Sequence, residues 1–147
     1  MYQQAAGSGN IRAMHNLGVL AAEGSDGKPN YASAAFWFGK AAEYGVRDSQ
    51  YNLAVLLARG LGVPKDLAKS YTWFAIVAAA GDDDAARKRD EVAARLTTSE
   101  LAAAKAAAAV FVAIPADQAA NEIPPLKVQP QAAPPQAGPT KPKVSGL

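Results

Sequence analysis

Cysteine is absent from this 147-residue chain, which excludes disulfides and thiolate metal sites. The absence leaves the compartment open, because an oxidising environment permits disulfides without demanding them. Histidine occurs once, at His15, so a multi-histidine metal centre is excluded as well. A strong charge of one sign is also missing: 15 basic and 13 acidic residues leave a net charge of +2. That is too little to steer the chain onto nucleic acid, and no nucleic-acid partner is expected. Long apolar runs are lacking too. The most apolar stretch, residues 102–114, falls short of the roughly 20 residues of a spanning helix and contains Lys105, so no membrane span is expected. The opening "MYQQAAGSGN" has no basic region followed by an apolar one and does not read as a secretory signal. Ser8, Ser25, Ser33, Ser49, Ser70, Ser99 and Ser145 stand in no nucleophile-elbow motif and beside no partnered base. The chain therefore reads as a non-enzyme without catalytic residues, cofactor or metal.

What is present is a repeat. Shifting the sequence by thirty-six places aligns Asn16 with Asn52, Leu17 with Leu53, Val19 with Val55 and Leu20 with Leu56. In the same register Gly24 meets Gly60, Trp37-Phe38 meets Trp73-Phe74, and Gly45 meets Gly81, with no gap. Tyr2, Ala5, Ala6 and Gly9 continue the register against Phe38, Ala41, Ala42 and Gly45. Residues 1–10 thus read as the end of a preceding repeat, and the chain as the C-terminal part of something longer. Residues 11–45 and 46–81 are the two full units.

Each unit reads as two helices. Ala13, Leu17, Leu20 and Ala21 recur at helical spacing on one face, as do Ser49, Leu53, Leu56 and Leu57. Ala34, Trp37, Phe38 and Ala41 form the stripe of the second helix, matched by Ser70, Trp73, Phe74 and Val77. Asn10, Asn30, Asp66 and Asp82 are placed as N-caps; Val46 cannot cap, and Asp48 is placed to help through the helix dipole. Gly18, Ala42, Ala54 and Ala78 leave room for close helix approach. The run Asp82-Asp83-Asp84 reads as an acidic helix start, not a metal site. Trp37 and Trp73, repeated on helical stripes, read as core. Gly60-Leu61-Gly62 lies between helices and has no suitably spaced lysine, so it is not a phosphate loop.

Beyond residue 81 the repeat decays. A helix is expected from about Asp82 to Leu96, with Ala85, Val92 and Leu96 inward. "TTSE", residues 97–100, has capping-box spacing and opens another helix reaching about Ala113. Residues 82–114 form a more polar capping pair, as the end of a helical stack requires. Eight of the ten prolines lie from Pro115 onward, among Gln, Ala and Lys, so residues 115–147 read as a disordered or polyproline-like tail.

The stretch "YNLAVLLARGLGVPKDLAKSYTWFAIVAAAGD", residues 51–82, resembles the SEL-1-like repeat family, relatives of the tetratricopeptide repeat. Leu53, Gly60, Gly62, Val63, Asp66, Trp73, Phe74, Ala78 and Gly81 carry the match, while Ala54 and Ser70 depart from it. In the upstream copy Asp26 and Gly27 replace the Gly-Val pair and the proline stands at Pro29. The resemblance implies an all-α fold: a right-handed superhelical stack of antiparallel helix pairs, whose first helices line a concave face that binds proteins or peptides. On that geometry Arg12, His15, Val19 and Glu23 of one helix face the groove, with Asp48, Tyr51, Val55 and Arg59 of the next. A narrower resemblance rests on "AFWFGKAAEYGV" and "KRDEVAARLTTSELAAAK". These are similar to the C-terminal region of alphaproteobacterial polar localisation factors of the PodJ type, which lies in the periplasm. It implies an interaction scaffold in polar localisation or envelope organisation. The alternatives are a module holding peptidoglycan or a wall enzyme, and a cytosolic signalling adaptor.

Overall fold

Helix starts follow the side chains able to accept free backbone N–H groups. Asn30 Oδ1 accepts from Ser33 N at 3.0 Å, Asp66 Oδ1 from Lys69 N at 3.0 Å, and Asp82 Oδ1 from Ala85 N at 2.9 Å. Each such cap contributes about 1 kcal/mol. Thr97 and Glu100 form both halves of a capping box, at 3.1 and 2.9 Å. Val46 makes no side-chain cap, and Asp48 lies in the first turn behind it. These starts open α2 (Tyr31–Glu43), α3 (Arg47–Arg59), α4 (Leu67–Ala79), α5 (Asp83–Ala93) and α6 (Thr98–Ala109). α1 spans Tyr2–Glu23, and a 3-10 helix spans Ala116–Asn121. The computed structural model describes residues 2–24 and 27–121, and among them there is no strand.

The helix ends are equally local. Gly45, at φ +92°, donates to the Ala42 carbonyl at 3.0 Å, and Val46 N donates to Ala41 at 3.1 Å. The pair closes α2 as a Schellman motif, which needs a residue that tolerates positive φ.

α1 departs from expectation. It runs unbroken through Gly9 and Asn10, so residues 2–10 continue the first helix instead of forming the end of a separate one. Asn10 is not a cap; its Nδ2 donates to the Ala119 carbonyl at 2.7 Å. Among the described residues no earlier helix stands against residues 2–9. Unbroken i→i−4 bonding satisfies backbone groups that a turn at Gly9-Asn10 would leave open.

The pairs stack in order: α1 on α2, α2 on α3, α3 on α4 and α4 on α5, giving an all-α helical repeat solenoid. The interfaces are close. A Cβ on Gly18 would fall 2.6 Å from the Phe38 ring, so glycine there sets how near α1 and α2 can lie. Phe38 and Phe74 are fully buried at matching places in the two repeats. α3 is buried along nine consecutive residues, Ser49–Leu57, because α1 and α2 cover one side and α4 and α5 the other. Leu20 does not follow its repeat partner: it is 56% exposed, where Leu56 is 0% exposed. Trp37 and Trp73 are half-buried, lying against the clusters rather than inside them.

The end of the stack is built differently from the repeats. Ala85 and Val92 of α5 are buried, with Leu96 packed against them. α6 lies on α4 instead of completing an antiparallel pair with α5. Ala104, small and buried, lets it approach, and Thr72 Oγ1 reaches the Ala104 carbonyl at 3.4 Å. The chain then turns back. Phe111 stacks edge-on against Trp73, with ring centroids 5.4 Å apart. Ile114 N donates to the Glu43 carbonyl at 2.9 Å, and the 3-10 helix packs on α1 with Ala119 fully buried against Met14, Ala41 and Tyr44. Ordered structure therefore runs seven residues into the segment expected to lack it, because apolar side chains at Phe111, Ile114 and Ala119 find matching surface. The remainder of that segment, 122–147, lies outside the described residues.

Candidate functional site

Two side-chain bridges join successive first helices. His15 Nδ1 and Ser49 Oγ share a hydrogen bond of 2.6 Å between α1 and α3. The Tyr51 hydroxyl donates to Asp84 between α3 and α5. On the thirty-six-residue register His15 corresponds to Tyr51 and Asp48 to Asp84. The first partner thus holds the same position at each junction while the second differs by one place, Ser49 bonding His15 and Asp84 bonding Tyr51; Asp48, the counterpart of Asp84, acts on His15 electrostatically. By contrast, α2 and α4 are separated by an open groove floored by Leu53 and Leu57 of α3. First helices held together and second helices spread apart put α1, α3 and α5 on the inner side of the curve.

The eight residues expected on that inner face divide. Arg12, Glu23 and Arg59 are exposed, and Asp48 and Val19 are half-buried. His15, Tyr51 and Val55 are 8%, 8% and 7% exposed, so they sit between helices and not on an open surface. The physical reason for this correction is α5. Together with α4 it closes the space over Tyr51 and Val55, which share a buried cluster with Phe74, Val77, Ala85 and Val92, Phe74 lying edge-on to Tyr51 at 5.3 Å. His15 lies 5.7 Å from the Phe38 ring, and its Nε2 has no hydrogen-bond partner among the described residues. Burial lowers its pKa from the ordinary imidazole value, against a smaller upward pull from Asp48. Burial raises the Tyr51 phenol, helped by the hydrogen bond to Asp84 and the Asp84 charge.

The residues that remain open on the inner side are supplemented by α5. Beside Val55 and Arg59 lies a cavity of about 250 Å³, bordered also by Lys88, Glu91 and Arg95. The helix contributing these three charges was expected, but not their convergence with Arg59. Their helical spacing, one to two turns apart on a polar face, was the available signal. The surface offers alternating charge around a small apolar patch, suited to gripping a polypeptide and lacking any nucleophile–base pair. Among the described residues no three His, Cys, Asp or Glu side chains are grouped to hold a metal, and no helix is long and apolar enough to cross a membrane.

A Sel1 repeat profile matches residues 11–45 and 47–82. Residues 11–82 are thus similar to two successive Sel1 repeats. Similarity to human cytochrome c oxidase assembly factor 7 amounts to 35% identity over 65 residues, covering 42% of this chain and 28% of that protein. The crystal structure of a protective antigen present in uropathogenic Escherichia coli strains, displaying an SLR fold, aligns with a TM-score of 0.67 and 27% identity. That alignment covers 90% of this chain and 29% of the antigen. The matched region is thus less than a third of either relative. The Sel1 repeat fold suggests a protein–protein interaction scaffold.

Proposed function

We propose that this Sel1-repeat chain is a non-enzymatic scaffold that organises the bacterial cell envelope, in the manner of a polar localisation factor, from the periplasm. It grips a protein segment along the inner face of the stack. The observation that carries this reading is the charged rim of that face: Arg12, Glu23 and Arg59 are exposed at its edge, with Lys88, Glu91 and Arg95 beside Arg59. Alternating charges over an apolar floor give orientation and register to a bound polypeptide, and arginine is a frequent anchor of interfaces. The envelope assignment rests on the resemblance of "AFWFGKAAEYGV" and "KRDEVAARLTTSELAAAK" to the polar localisation factors.

The test is a pulldown with the whole chain as bait, carried out separately on envelope and cytosolic extracts of the native cell. A double variant, Arg12→Glu with Arg59→Glu, alters only exposed side chains and is expected to keep the helical circular dichroism of the wild type. Specific partners should come from the envelope extract and fall at least fivefold with the variant. Unchanged recovery by the folded variant rejects the inner-face site. Partners found only in the cytosolic extract reject the envelope assignment in favour of an adaptor inside the cell.

A further inference from the structure

The segment after α6 leaves helical structure and places apolar side chains on successive repeats. Phe111 lies edge-on to Trp73 in the second repeat. Ile114, three residues on, joins the cluster of the first repeat on which Trp37, the counterpart of Trp73, also packs. Pro115 follows, and the chain turns into its 3-10 helix. Next to the Phe111–Trp73 contact the groove between α2 and α4 stays open. It has a volume of about 460 Å³ and is lined by Leu53, Leu57, Trp73, Ile76 and Ala107.

We propose that the tryptophan edge of the stack is a second docking site, distinct from the inner face, for an extended segment of a partner protein. The occupant carries an aromatic residue, an aliphatic one three places on, and then proline. Residues 111–115 occupy the edge in cis as a built-in competitor. The argument for this occupant is the one already seated there. The edge holds Phe111 through Trp73, fixes the backbone through the Glu43 carbonyl, and accepts Ile114 beside Met14 and Tyr44. The contact is small, and its outward side chains Val110 and Val112 are 75% and 81% exposed, so a partner segment continuing into the open groove buries more apolar surface than the cis segment does.

The chain has no cysteine, so Val112→Cys in the full-length protein gives a unique site for a spin label on an exposed position. The probe is a synthetic peptide of residues 109–118. A second peptide keeps Phe, Ile and Pro at the same spacing in glycine-serine flanks, and a third replaces Phe and Ile by Ala. The label is expected to gain mobility as either of the first two peptides is added, with no response to the third. A full-length variant with Phe111→Ala and Ile114→Ala, folded by circular dichroism, is expected to bind the first peptide at least tenfold more tightly than the wild type, measured by calorimetry. A label whose mobility no peptide changes, although calorimetry shows the first peptide to bind, rejects the competitor. Binding of the first peptide to neither protein at millimolar concentration rejects the site. Release by the first peptide but not the second rejects the proposed pattern. Restriction that depends on protein concentration, with a dimer in light scattering, assigns the edge to a second copy of the chain and overturns the partner reading.

Discussion

Leu20 and Leu56 hold the same place in two copies of one repeat, yet the first is 56% exposed and the second not exposed at all. The difference lies in what stands in front of each. α3 receives α2 against Leu53, Leu56 and Leu57, with Phe38 and Ala42 in the same cluster. Leu20 instead borders an open groove with Leu17, Ala21 and Trp37 and joins no buried cluster of the described residues. The comparison teaches that in a stacked repeat the core is made between units as much as within them: one pattern yields core or surface according to its neighbour.

The sharpest way to break the comparison is to truncate both leucines. Leu56→Ala is expected to lower unfolding free energy by about 3 kcal/mol, as a fully buried leucine does. Leu20→Ala should change it by less than about 0.5 kcal/mol. Urea denaturation of the two variants measures this directly. Equal losses would mean that the α1 face is covered in solution, and the contrast would collapse.

The turns offer a second and smaller contrast. Gly62 and Gly27 both take positive φ, +77° and +84°. A Cβ on Gly62 would meet the Tyr31 carbonyl carbon and oxygen at 2.2 Å, whereas nothing lies within 4 Å of one on Gly27. Gly27→Ala is expected to cost about 1 kcal/mol, from the backbone conformation alone. Gly62→Ala should cost about 2 kcal/mol or more, because the loop must also move away from the start of α2. Thermal melts of both variants rank them; equal shifts in Tm would remove close approach as the reason for glycine at position 62.

The two bridges between first helices differ in how they answer acid. Burial lowers the His15 pKa below 6.5, so the unfolded chain binds a proton more readily than the folded one. This contribution to stability is complete above pH 6.5 and is lost as pH falls through the lowered folded value. Tyr51, whose pKa is raised, stays neutral across that whole range. His15→Tyr copies into the first repeat the residue of the second. It is expected to reduce the loss of stability between pH 7.5 and pH 5, measured by urea denaturation at each pH. An unaltered difference between the two pH values would place the acid sensitivity elsewhere.

Much of the fold was legible in the chain because its signals are local. Asn30, Asp66, Asp82 and the Thr97–Glu100 box each bond a backbone N–H within three residues, so spacing alone reveals them. The Gly9-Asn10 pair mimicked such a signal, but α1 runs through it and Asn10 bonds the Ala119 carbonyl instead. Of the candidate site, Arg12, Glu23 and Arg59 were legible as exposed positions, while Tyr51 and Val55 were placed on an open face that α5 covers. Asp84 as the partner of Tyr51 was hidden by a separation of thirty-three residues. Residues 110–113 were expected to continue the last helix, which ends at Ala109, and nothing in their pattern named the surface that receives Phe111 and Ile114.

By itself the sequence determined the thirty-six-residue register, the helix starts and turns, and the two phenylalanines, Phe38 and Phe74, that each repeat buries. Those follow from interactions spanning a few residues and from a pattern stated twice. Tertiary structure decided which copies of the pattern are covered, which polar side chains bridge the first helices, and where residues 110–121 lie. These depend on the separation of elements far apart in the chain, and helical periodicity carries no information about that distance. It tells which face of a helix is apolar, and only packing tells what meets it.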